Sequence, residues 1–215
     1  MDQKGVSIQR MEERKIKNCY LKIEQGQIVV HAPQMMKIDK IETLIIQNQD
    51  KLLNRLDHYV CKADYKHLGF VEIFNQRYQI ILKDLGIKKC AIHGHDLYVY
   101  HHDIKNTVSP FLKEQLLEYL NKKISFYLKN DFPVNHVDIT LRKMKSRWGA
   151  CFYKKNKLCF NTVLAHLDYS LIDYVIIHEL CHFIEPNHSK QFYNEIKKRM
   201  PDYKERERKL AEVGI

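Results

Sequence analysis

Apolar residues in this chain follow two periods that alternate along its length. Residues 19–24 and 27–31 alternate apolar and polar around Gln25-Gly26, the pattern of a β-hairpin. Residues 38–59 carry apolar side chains at 41, 44, 45, 52, 53 and 56, a helical period. Residues 70–74, 76–83, 88–93 and 96–101 predict four more strands. Residues 107–129 read as a long amphipathic helix through Phe111, Leu112, Leu116, Leu117, Leu120, Ile124 and Leu128. Ser109 is its candidate cap, with Pro110 at its first position. Short strands at 137–141, 148–153 and 158–161 then predict an antiparallel meander. Residues 171–184 are apolar on nearly every side, which predicts a buried helix. Two shorter helices, 189–200 and 202–212, close the chain. The fold class is α+β: an N-terminal β-rich lobe with one helix over residues 1–105, and a C-terminal lobe over residues 106–215.

The buried helix holds the most informative run, His178-Glu179-Leu180-Cys181-His182, which reads H-E-x-x-H. Histidines four apart on a helix stand one turn above each other on one face, so both imidazoles can reach one zinc ion. Glu179 is one residue round, where it can hold and deprotonate a zinc-activated water. Three polar side chains on a buried helix are costly unless something binds them. The plainer alternative is a core helix whose histidines bond to backbone carbonyls.

A zinc needs at least three protein ligands, and a catalytic one keeps its fourth place for water. His188 is the third candidate. A helix cannot bring position 188 beside 178 and 182, so the chain must turn, and Pro186-Asn187 supplies the turn. Ser189 can then cap the next helix. Glu185 occupies the place of the turn glycine in the metzincin spacing, which argues for a different turn. Glu185 and Glu195 are fallback ligands.

Length and charge narrow the setting. The 215 residues suit one compact unit or two small lobes, and can bury a core without staples. Residues 1–17 are polar, with no apolar run of signal-peptide type, and no segment is long enough to span a membrane. A cytoplasmic protein with no membrane partner is expected. Six cysteines, without a C-x-x-C pair, read as reduced core thiols. The net charge is +10, with lysines and arginines spread widely and local clusters at Arg142-Lys143-Lys145-Arg147, Lys154-Lys155-Lys157, Lys197-Lys198-Arg199 and residues 204–209. Such a surface could bind nucleic acid, or be a solvated basic face. Residues 204–209 alternate in sign, as on an exposed helix with local ion pairs. A second histidine group, His93, His95, His101 and His102, reads as exposed turn residues. Trp148 is either core or cleft wall, and Asn161 either bonds substrate or ends its strand.

The last third of the chain resembles the YgjP-like metallopeptidase family, relatives of the SprT and WLM zinc peptidases. The resemblance rests on Ser146-Arg147-Trp148-Gly149-Ala150-Cys151, Leu158-Cys159-Phe160-Asn161, residues 172–182, Asn187-His188-Ser189, Phe192-Tyr193, and Pro201-Asp202-Tyr203-Lys204. It departs from the family at Ala150, Thr162 and Tyr193, all outside the metal set. The resemblance implies a zincin-like catalytic lobe with His178, His182 and His188 as zinc ligands and Glu179 as catalyst. The leading expectation is a zinc metallopeptidase acting on polypeptides, with Glu179 as general base. Arg147, Trp148, Asn161 and Tyr193 are candidate substrate-binding residues. Arg147 and Tyr193 are also candidate oxyanion stabilisers, and residues 157–161 a strand for the substrate to pair with. A nucleoside triphosphate pyrophosphatase activity has also been attached to the family. That, and a nucleic-acid-associated protein with a structural zinc, are the alternatives.

Overall fold

A computed structural model describes residues 6–11, 18–24, 27–50 and 62–213. The chain forms two compact units, Met1–Cys61 and Lys62–Ile215.

In the first unit, β1 (Val6–Met11), β2 (Tyr20–Glu24) and β3 (Gln27–Pro33) form a sheet in the order β1-β3-β2. β2 and β3 pair antiparallel, as the alternation predicts. β1 lies parallel to β3, an addition the polar N-terminal composition conceals. Helix α1 (Ile38–Gln47) fully buries Ile41, which clusters with Val30 and Ala32. The periodic positions 52, 53 and 56 lie outside the described residues.

The second unit begins with β4 (Ala63–Asp64), β5 (Phe70–Ile73), β6 (Gln76–Leu82), β7 (Cys90–His93) and β8 (Asp96–Val99). They form one sheet in the order β4-β5-β6-β8-β7, with β6 and β8 parallel. Four of these strands are the expected ones, trimmed at their ends. Helix α2 (Ile104–Asn130) starts before Ser109 and Pro110, which fall inside it. The Asp103 carboxylate is the cap, accepting from the Asn106 backbone N–H, so the Ser-Pro pair is not needed to start the helix. Val71, Ile80, Leu97 and Val99 of the sheet share one core with Leu112, Leu116 and Leu120 of α2. This sheet and α2 therefore belong to the one compact unit Lys62–Ile215.

A second sheet follows: β9 (Asp138–Arg142), β10 (Gly149–Phe152) and β11 (Lys157–Asn161). Its order is β10-β11-β9, with β11 antiparallel to β10 but parallel to β9. This corrects the expected antiparallel meander. The chain after β9 crosses over, so β10 takes the outer place. β11, whose Leu158, Cys159 and Phe160 are all buried, takes the centre. A 3-10 turn, Thr162–His166, leads into α3 (Tyr169–Cys181), and α4 (Lys190–Arg199) and α5 (Tyr203–Val213) complete the mixed α+β fold. Among the described residues no helix is long and apolar enough to cross a membrane.

Candidate metal centre

Helix α3 begins where the Asp168 carboxylate accepts from the Ser170 N–H at 2.8 Å. Leu171, Ile172, Val175, Ile176, Ile177 and Leu180 are buried, so the helix is anchored on almost every side. It ends at Cys181, with His182 as its C-cap, earlier than the apolar run suggests. Glu185 precedes Pro186, which disfavours helical backbone there. The carbonyl of Cys181 instead accepts from the N–H groups of Ile184 and Glu185, closing a tight turn. Ser189 then caps α4, its hydroxyl accepting from the Phe192 N–H.

This turn brings His188 back against the helix. Its Nε2 lies 3.2 Å from Nε2 of His178 and 3.2 Å from Nε2 of His182. Among the described residues these three are the one group of histidines, cysteines or acids whose ligand atoms converge this way. Burial, with the two neighbouring imidazoles adding to it, pushes the His178 pKa down to about 3. Burial also lowers that of His182. Both rings are therefore neutral near pH 7 and carry a lone pair. Three converging imidazole nitrogens cannot all satisfy one another by hydrogen bonding. A cation with affinity for neutral imidazole satisfies all three, and the donor set fits zinc.

The platform beneath the rings is Phe192, fully buried in the first turn of α4. It stacks on His182 at 4.6 Å between centroids and meets His178 at 5.0 Å and His188 at 4.8 Å edge-on. Its place one helical turn beyond His188 is the signal in the sequence that could have singled it out.

Glu179 is 6% exposed. Burial pushes its pKa up to about 8, opposed by the charge of Arg147 and by the Cys151 backbone N–H, which donates to the carboxylate. A Cβ on Gly149 would lie 2.5 Å from Glu179 Oε1, so this glycine gives the carboxylate its space.

The site opens into a cleft of about 680 Å³. Its lining includes the three histidines, Glu179, Arg147, Trp148 and residues 149–151 of β10. Trp148 both packs on the core and walls the cleft, so its two alternative readings are joined in one residue. Tyr174 of α3 and Glu207, Leu210 and Ala211 of α5 also line the cleft, a contribution the sequence reading did not anticipate.

Other candidates stand apart. Asn161 is fully buried. Its amide donates to the carbonyls of Met144 (2.9 Å) and Arg147 (3.1 Å) and accepts from the Val163 N–H (3.3 Å). It pins the loop before β10 and is not part of the cleft lining. Tyr193 is not part of the cleft lining; its ring lies 6.3 Å from that of His188 and stacks on Tyr203 at 6.1 Å. Glu195 is held by Lys198 and Arg199, and Glu185 accepts from the Asn187 N–H, so neither fallback acid joins the histidines. Cys181 is fully buried, as a core thiol should be.

Among solved structures, the chain is similar to the metallopeptidase zymogen abylysin of Pyrococcus abyssi. The two are 25% identical with a TM-score of 0.37, over 43% of this chain and 90% of that one. It is also similar to the metallopeptidase zymogen jannalysin of Methanocaldococcus jannaschii, at 26% identity and a TM-score of 0.36, over 44% of this chain and 91% of that one. No curated protein matches the chain. The YgjP-like, metallopeptidase domain family matches residues 17–213, nearly the whole length and including all three histidines and Glu179. The chain belongs to the YgjP-like metallopeptidase family.

Proposed function

We propose that this protein is a zinc-dependent peptidase that uses Glu179 as its general base. The observation that carries the reading is the meeting of three imidazole nitrogens beside one buried carboxylate at the floor of an open cleft. His178, His182 and His188 would hold the metal. When bound, zinc supplies a Lewis acid for the scissile carbonyl and lowers the pKa of water to about 7. Glu179, which the charge of a bound cation together with Arg147 would hold ionised against the effect of burial, would take the proton from the attacking water and return it to the leaving amine. The Cys151 N–H fixes one end of that carboxylate, and Gly149 leaves it room. Arg147, the lysine or arginine of the cleft lining, is the better placed of the two oxyanion candidates, since Tyr193 lies off the lining.

An extended substrate would add as a strand to β10. The strand first expected to take it, β11, is paired on both sides and has no free edge. β10 is the outer strand, and its residues 149–151 border the cleft. Phosphoanhydride hydrolysis is the weaker reading, because triphosphate sites gather several cations and Arg147 is the one lysine or arginine in this lining.

The test is metal content and hydrolysis of an unfolded polypeptide, measured on the same preparations. Glu179→Gln should keep one zinc per chain and lose activity by about 10²-fold or more. His178→Ala should lose both metal and activity. Normal turnover by Glu179→Gln overturns the assigned role.

A further inference from the structure

Helix α5 carries three acids, and two are matched to a cation one turn away. Glu205 pairs with Lys209 at 2.8 Å and Glu212 with Arg208 at 2.5 Å. Just before the helix, Asp202 pairs with Arg206 at 2.8 Å. Glu207 breaks the pattern. Tyr203 and Ala211 stand four residues to either side of it, and although Lys204 lies three residues before it, Glu207 makes no ion pair among the described residues. Its side chain is part of the cleft lining, where its Oε1 accepts from the Tyr174 hydroxyl at 3.1 Å. One hydrogen bond leaves most of the acceptor capacity of a carboxylate free. Tyr174 in turn meets the His178 ring edge-on at 5.9 Å, so one side chain links the acid to a candidate metal ligand within the same lining. Leu210 and Ala211 continue the same wall with an apolar surface.

We propose that Glu207 selects the substrate: the cleft takes a polypeptide with a lysine or arginine side chain next to the scissile bond. An unneutralised carboxylate beside an apolar wall suits a side chain with a methylene stem and a cationic head. The free lone pairs of Glu207 receive the head, and Leu210 and Ala211 cover the stem. The cation of the lining, Arg147, disfavours a second cation beside it and leaves Glu207 as the acceptor. This assignment rests on the peptidase reading above.

The experiment uses Trp148, the single tryptophan of the chain and a lining residue, as a reporter of binding that needs no turnover. The full-length zinc-loaded protein carrying Glu179→Gln is titrated with three matched peptides bearing lysine, norleucine or glutamate at one position. The lysine peptide should bind about tenfold more tightly than the norleucine peptide. Glu207→Gln should abolish that difference, and Glu207→Lys should turn the preference toward the glutamate peptide. Equal binding of all three peptides, or a lysine preference that survives Glu207→Gln, overturns the proposal. Hydrolysis of the three peptides by the unsubstituted protein separates the two levels. Cleavage without a lysine preference removes the role of Glu207 and leaves the peptidase standing. Neither binding nor cleavage of any peptide removes both.

Discussion

Gly149 lacks a side chain at the place where the Glu179 carboxylate lies. An added Cβ would stand 2.5 Å from Oε1, 2.7 Å from Cγ and 2.8 Å from Cδ. Those distances are far inside van der Waals contact, so the carboxylate would have to move. Gly149→Ala should therefore keep one metal per chain and lose about 10²-fold in hydrolysis, since a displacement near 1 Å at a reacting group costs about that much. Elemental analysis beside a peptide assay reads both quantities, and an unchanged rate would show that the glycine is there for some other reason. Asn161 carries a different lesson at the same scale. A polar residue at the end of an apolar strand resembles a substrate ligand in the sequence. In the fold its amide is used up by the loop that presents Arg147 and Trp148, so it acts on the site only through that loop.

At the scale of elements, the join between α3 and α4 decides where His188 stands. Ser189 is the N-cap of α4, and His188 is the residue before it. Loss of a serine cap costs about 1 kcal/mol. Ser189→Ala should lower the thermal midpoint by a few degrees and weaken metal binding by up to about fivefold in a chelator competition. A lowered midpoint with unchanged metal affinity would mean the cap holds the helix but not the ligand. The convergence of the three histidines was legible because it is local: H-E-x-x-H, a Pro-Asn turn and a capping serine lie within a dozen residues. The sheet order was not. β9, β10 and β11 each read as strands, but their order depends on which is most buried, and that is settled by packing against distant elements. Helix α2 shows the same limit in miniature. Ser109-Pro110 is a persuasive local start, yet Asp103 begins the helix earlier, and a proline in its second turn is accommodated. Glu207 was readable in principle, as the acid of α5 without a cation four residues before or after it.

Across the whole molecule, acid sensitivity should be traceable to Glu72. Its side chain is 10% exposed, and it accepts from Lys62 at 2.8 Å and Arg77 at 3.0 Å. Burial alone would raise its pKa, but the two hydrogen-bonded cations outweigh that and hold it below the ordinary 4.5. A carboxylate with a lowered pKa in the folded state stabilises the fold above its unfolded value. That contribution fades as the pH falls from there through the folded value. Urea midpoints followed from neutrality down to about pH 3 should thus fall less steeply for Glu72→Gln, from a lower starting point. An identical acid slope would place the sensitivity elsewhere. The seat of the three imidazoles has a consequence of another kind. Phe192 belongs to the same core that joins α2, α3 and the two sheets of the second unit, so the hydrophobic core brings the donor atoms together. The protein should therefore fold first and load second. Its apo form should keep its structure after chelation, unlike small zinc modules that unfold without their ion. Metal affinity is then free of any folding contribution. Occupancy in a cell follows the supply of divalent ions and their ranking for imidazole, so which ion sits there is decided by the surroundings as much as by the chain.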